Sequence, residues 1–308
     1  MTLPPPARYA PWTKGFYDVS PNLRPLGTDF GNGSQDACLI QLDSDFARYR
    51  VIKEAAYAGD RAKYFGLAEL PDAVMLAVAD ALATHLADDY PAAYRYANRA
   101  FECLLTGETI CWSPSGVLEG SPYRHLLEAL AFQIQPDLAI VVRSPDGSDR
   151  IAAVHVCGVS HWRPTEKLGQ SFFQTHTVVP GMEKINAAAP RMVDAMIRQG
   201  PFVRFVWGVE SDDRLNHHPD PPVGWSSEEW LGRLFDRLPF WGRVERQTLL
   251  GLPEVDAALF VIHPKTVPGT EILGTERRAL LAALHSMSPE ARRYKGVDTH
   301  FDALVAQL

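Results

Sequence analysis

The chain has 308 residues, of which 46% are hydrophobic and 22% charged, and its net charge is −7. That length and apolar content describe one large or two modest soluble domains with enough material for a packed core. The acidic balance argues against a nucleic-acid-binding protein, which normally carries a basic surplus. No stretch approaches the ~18 uninterrupted apolar residues of a membrane helix.

The first residues, MTLPPPARYAPWTKG, lack the apolar h-region of a signal peptide. Four cysteines (Cys38, Cys103, Cys111 and Cys157) are scattered without a CxxC pair. Reduced core thiols fit that spacing better than a zinc site or a disulfide framework. A cytoplasmic protein is the resulting expectation.

In chain order, residues 1–35 are rich in Pro and Gly and carry Tyr9, Trp12, Phe16 and Tyr17. Prolines bias their neighbours to extended backbone, so this reads as an arm docked on the body by its aromatics. A helix is predicted over 43–59. Pro71 opens another, with Val74, Met75, Val78, Ala79 and Leu82 on one face. A third is predicted over 91–105, then a loop over 106–120 with Gly and Pro turn signals, then a helix over 123–132.

The middle of the chain changes character. DLAIVV (137–142) and RIAAVHVCGV (150–159) are β-branched runs around a hairpin tip at Asp146-Gly147. A helix follows over 184–199, with Ile185, Met192, Val193, Met196 and Ile197 on one face and Gly200-Pro201 as its stop. FVRFVWGVE (202–210) reads as a strand, and Ser226/Ser227 with Glu229 reads as a helix start. GRVERQTLLGL (242–252) and DAALFVIHP (256–264) form a second strand pair. Two short helices close the chain, the last from Ser288-Pro289-Glu290. The order predicts an α+β fold with an antiparallel sheet. No GxGxxG follows a strand, and no Walker motif or GxSxG elbow is present.

Candidate chemistry centres on SHWRPTEKLGQSFFQTHTVVP (160–180). His176 sits among apolar residues, where an imidazole can ligate iron through one nitrogen while a partner orients the other. A core histidine satisfied by backbone is the alternative. His161, beside Trp162, reads as a surface or pocket-rim residue. His217-His218 precedes Pro and Asp in a polar loop, a weak metal cue that reads as solvated, and His155 could face either side of its strand. Cys157 lies within a β run, where burial raises a thiol pKa and favours a core role. Arg204, Arg246 and Lys167 are awkward for packing. An inward cation there needs an anion, such as a phosphate, a carboxylate substrate or haem propionates, unless Glu210 or Glu245 pairs with it.

WRPTEKLGQSFFQTHTVVP (162–180), VRFVW (203–207), VERQTLLGLPEVDAALFVI (244–262) and QPDLAIV (135–141) occur in order. Together they resemble the motifs of proteins similar to the α subunit of haem-dependent oxidative N-demethylase. The resemblance spans about residues 10–270. It implies a PAS-like antiparallel sheet with flanking helices, holding a b-type haem. It divides the chain into an arm and helical region (1–120), a haem-binding core (121–270) and C-terminal helices (271–308). It also implies dioxygen activation and oxidation of an N-methyl group on a small amine, releasing formaldehyde. Electrons would come from NADPH through a separate flavin and iron–sulfur reductase; a haem-PAS sensor without turnover is the alternative.

By position in these motifs, His176 becomes the candidate axial ligand. Arg204 and Arg246 become candidates for propionates or substrate, and Trp162, Lys167, Trp207, Gln247 and Thr248 for the pocket lining. The chain departs from the family pattern at His161, where a small residue is usual, at Val206 in place of Asn, and at Pro136 in place of Glu. His161 is thereby a candidate second ligand or distal acid–base group.

Overall fold

Strand β10 (Trp241–Leu252) is the axis of the molecule in the computed structural model, which describes residues 2–182, 188–236 and 239–308. It pairs along its length with β11 (Ala257–Pro268) on one side and with β9 (Phe202–Glu210) on the other. Beyond β11 come β7 (Asp137–Arg143), β8 (Asp149–His155) and β2 (Phe65–Leu67); beyond β9 comes β1 (Arg24–Pro25). All these pairs are antiparallel, giving a seven-stranded sheet in the order β1-β9-β10-β11-β7-β8-β2. The β7–β8 and β10–β11 hairpins and the strand β9 stand where the hydrophobic runs predict them.

Side chains alternate across a strand, so β10 serves two sides. Gly242, Val244, Arg246 and Thr248 face the amino-terminal arm, while Arg243, Glu245, Gln247 and Leu249 face the other way. On the arm side, Trp12 is fully buried and meets Trp207 edge-on at 6.0 Å. Its indole Nε1 donates to Glu276 Oε1 at 3.0 Å. The arm is therefore docked by aromatics. The C-terminal helices α7 (Gly274–His285), α8 (Pro289–Lys295) and α9 (Phe301–Ala306) share that apolar cluster. The chain thus closes with three helices where two are predicted.

Further along the same face lie α1 (Phe46–Asp60), α2 (Asp72–Asp89) and α3 (Leu126–Ala131). Val74, Met75, Val78, Ala79 and Leu82 of α2 are all buried. The third predicted helix does not form. Residues 91–105 contain a hairpin of β3 (Tyr94–Ala97) and β4 (Ala100–Cys103), and β5 (Glu108–Trp112) and β6 (Leu118–Glu119) extend it through the predicted loop. Asn98 and Arg99 at the tip both adopt positive φ, the backbone of a tight hairpin turn matched to strand twist. The front third is therefore mixed α/β.

On the opposite face, α4 (Phe172–His176) and α5 (Ala189–Arg198) cover one end of the sheet, and α6 (Ser227–Trp230) follows the loop after β9. The first turn predicted for the helix over 184–199, with Ile185, lies outside the described residues. Val193, Met196 and Ile197 are buried against Leu249 and Ala258. The helix sits so close that a Cβ at Gly251 would lie 2.1 Å from the carbonyl oxygen of Ile197. No helix among the described residues is long and apolar enough to cross a membrane.

Candidate functional site

The segment 160–180 is stitched to the sheet rather than draped over it. Gly169 N–H donates to the carbonyl of Ile151, and Ile151 N–H donates to that of Gln170, both at 2.9 Å. Phe172 N–H donates to Asp149 Oδ2 at 2.6 Å. Ser171 then starts α4 with a reciprocal capping box to Gln174, satisfying two backbone donors of so short a helix.

His176 ends that helix. Its ring lies 4.3 Å from the Phe172 ring, and Nδ1 donates to the Phe172 carbonyl at 2.7 Å. A backbone carbonyl can only accept, so Nδ1 carries the proton and Nε2 the lone pair. Nε2 has no protein partner among the described residues. Burial, opposed by the Phe172 bond and reinforced by the charges of Arg204 and Lys167, holds this imidazole below its ordinary pKa.

Cross-strand register puts Phe202, Arg204 and Val206 of β9 beside Leu249, Gln247 and Glu245 of β10, with Phe260 and Ile262 of β11 in the next row. In this stretch Arg204, Val206, Glu245, Gln247 and Ile262 are only half-buried, an open patch between fully buried rows. Arg204 Nε is buried without a hydrogen-bond partner among the described residues, and desolvation lowers its pKa against the pull of Glu245. No carboxylate among the described residues lies within ion-pair distance of it. Gln247 Nε2 donates to Glu245 Oε2 at 3.1 Å. Trp162, half-buried, packs with Val154, Val156 and Leu168 at the β8 edge, and Lys167 closes a 3₁₀ turn there.

The other predicted site residues lie across the sheet. Arg246 is buried under the arm and donates to the carbonyls of Cys38 at 2.7 Å, Asp36 at 3.3 Å and Leu39 at 3.4 Å. Thr248 Oγ1 donates to the same Leu39 carbonyl at 2.8 Å. Trp207 packs between Trp12 and Tyr17. The structure thus brings His176, Lys167, Arg204, Gln247 and Trp162 to one face, and separates Arg246, Thr248 and Trp207 from them by the thickness of the sheet.

His161 joins a third group. Its Nε2 lies 3.0 and 3.1 Å from the two carboxylate oxygens of Glu210, and its ring stacks on His217 at 5.3 Å. His217 and His218, which the sequence reads as solvated, are 0% and 1% exposed. The loop after β9 folds back, with Trp230 Nε1 donating to the His218 carbonyl and His217 N–H donating to the Val159 carbonyl, both at 2.8 Å. Sequence reasoning missed Glu210, Asp212 and His217 as one cluster. The signal available was Glu210 ending a strand just before the His-His pair. A cavity of about 450 Å³ beside Arg143, Asp149 and Pro190 contains none of these residues.

The sequence matches the family described as haem-dependent oxidative N-demethylase, alpha subunit-like, over residues 32–305. The chain belongs to this family. The match covers every strand of the large sheet except the short β1, together with both histidine-bearing segments. A comparison with curated proteins finds no match.

Proposed function

We propose that this protein is a haem-dependent oxidoreductase of the oxidative N-demethylase type, acting on a small amine or amine-like metabolite with O2. The family match across residues 32–305 is the observation that carries the reading. Bound haem would supply dioxygen activation for oxidation of a methyl group next to nitrogen. Electrons would arrive from NADPH through a separate flavin and iron–sulfur reductase subunit, consistent with the α-subunit character of the family.

The residues on the half-open face fit a haem. A histidine ligand needs one nitrogen held by a hydrogen bond and the other free, and His176 meets both conditions through the Phe172 carbonyl. Propionates need cations without a committed anion; Arg204 and Lys167 each lack an ion pair among the described residues. In this reading His176 Nε2 would ligate the iron, while Arg204 and Lys167 would neutralise the propionates. Glu245, oriented by Gln247, supplies the negative charge that a protonated amine requires. Trp162, Leu168 and Phe172 exclude water from the rim. Arg246, Thr248 and Trp207 hold the arm, and His161 is engaged by Glu210; all four are left out of the haem site. The five long strands in the order β8-β7-β11-β10-β9, with the first and last in chain order adjacent, support a PAS-like reading of the sheet.

Reconstitution with haem tests the proposal. A Soret band is expected for the wild-type chain and its loss for His176→Ala. Reduction in air with secondary amines should then release formaldehyde. A chain that gives no Soret band overturns the haem reading. Dioxygen binding without formaldehyde from any amine replaces the enzyme by a sensor.

A further inference from the structure

The His161–Glu210–His217 group is built more carefully than packing requires. Ser160 and His217 form an isolated parallel bridge: His217 N–H donates to the Val159 carbonyl at 2.8 Å and His161 N–H to the His217 carbonyl at 3.1 Å. This clamps the two imidazoles face to face, their centroids 5.3 Å apart and their planes within 7° of parallel. His161 takes φ 65 to do so, a left-handed backbone that costs a non-glycine residue on the order of 1 kcal/mol or more. Gly232 lets the chain press against the far side, since a Cβ there would lie 2.6 Å from His217 Nε2 and 2.9 Å from Asp212 Oδ2.

The donor set is chemically specific. Glu210 is 3% exposed, and both of its carboxylate oxygens face His161 Nε2. His217, fully buried, donates from Nε2 to Asp212 Oδ1 at 2.9 Å, and Arg214 in turn holds Asp212. A carboxylate behind an imidazole is the arrangement that fixes tautomer and basicity in metal-ligating histidines. That leaves His217 Nδ1, which is buried and has no hydrogen-bond partner among the described residues. An unpaired buried acceptor is costly unless something fills it.

We propose that His161, Glu210 and His217 bind a divalent first-row transition ion of the Zn²⁺ class at the end of the sheet. One ligand atom from each lies within 4.8 Å of the others. Metal–ligand bonds of ~2.0–2.1 Å in a tetrahedron put ligand atoms about 3.3 Å apart. The His161–Glu210 separations of 3.0 and 3.1 Å need only a few tenths of an ångström of opening. Two imidazoles and one carboxylate suit Zn²⁺ and its neighbours rather than Mg²⁺ or Ca²⁺. The ion would tie the segment entering the 160–180 stretch to the last residue of β9 and to the loop beyond it. Arg233, whose charge also bears on Glu210, is the cation the ion must compete with. The site is distinct from the haem proposal and does not depend on it.

The test uses the full chain, stripped with a chelator and dialysed against Zn²⁺, with bound zinc read by elemental analysis and affinity by calorimetry. Elemental analysis separates zinc from haem iron, so the result is readable whether or not haem binds. About one zinc per chain is expected. His161→Gly, at a backbone angle that favours glycine, should keep the fold by circular dichroism and lose the zinc. Asp212→Asn should weaken binding about 10–100-fold, and Arg233→Gln should tighten it. Glu210→Gln is the second ligand variant if His161→Gly does not fold. The proposal is overturned if the wild type takes up no more zinc than the ligand variant, or if Asp212→Asn leaves affinity unchanged.

Discussion

His176 Nδ1 and the Phe172 carbonyl oxygen stand 2.7 Å apart, one turn of α4 from each other, and this decides which imidazole nitrogen is left over. The consequence is a pH dependence with a definite sign. Burial holds the folded pKa of His176 below 6.5, and Arg204 and Lys167 push the same way. The ring therefore stays neutral and competent to ligate in mild acid, and haem release begins only below that value. Lys167→Gln removes a positive neighbour and raises the pKa, so the acid midpoint for loss of the Soret band should move upward. A titration from about pH 4 to 8 measures it; a midpoint that stays put or falls contradicts the assignment.

Gly251 meets α5 through backbone, not side chain. In Gly251→Ala the new methyl would overlap the Ile197 carbonyl oxygen at 2.1 Å, and neither partner is a flexible tip. The expected loss is at least ~1–3 kcal/mol, the usual cost of forced overpacking. It should appear as a lower urea midpoint with an unchanged m-value. A variant as stable as wild type would mean that α5 can shift freely on the sheet.

The arm is a structural part of the molecule. Trp12 is fully buried, packed on Trp207 and bonded to Glu276. Trp12→Ala should cost about 3–5 kcal/mol, as for other buried aromatics cut to alanine. Thermal unfolding would register this as a fall in Tm, and proteolysis as early cleavage before residue 35.

Two histidines predict acid sensitivity of the fold itself. His155 and His263 are fully buried, and neither ring nitrogen of either has a hydrogen-bond partner among the described residues. Desolvation holds both well below 6.5, with Lys53 adding to it at His155 and Lys265 at His263. The unfolded chain takes up protons on them below 6.5 while the fold does not. Stability from these groups is thus complete above 6.5 and drains away as the pH falls toward the folded values. His155→Phe, set among the rings of Tyr57, Phe65 and Phe132, should flatten part of that slope in denaturant titrations at several pH values. An unchanged slope counts against the mechanism.

Five strands of the large sheet were legible because they are long β-branched runs with a hairpin turn or a helix stop between them; β1 and β2, two and three residues long, were not. The second sheet was not. Its strands are four or five residues at most, and PAAYRYANRAFECL contains enough alanine to mimic a helix until Asn98 and Arg99 are seen at positive φ. The candidate site was half legible. Motif order picks out residues in a line, whereas a sheet sorts them by parity, so Arg246 and Thr248 went to the arm while Gln247 went to the open face. The His217 cluster escaped for another reason: a run of Asp, Asn, His and Pro looks solvated, and only the fold-back onto Val159 buries it.

That parity gives the arm a further consequence. Side chains in a strand repeat every two residues, so sliding β10 by one position would send Arg246 into the open face and Gln247 beneath the arm. The carbonyls of Asp36, Cys38 and Leu39 accept from Arg246, and that of Leu39 also from Thr248, two residues further along the same strand face. They act as a ratchet pawl on the strand. The amino-terminal third of the chain, remote from any proposed chemistry, thereby dictates which side chains of β10 the opposite face can use.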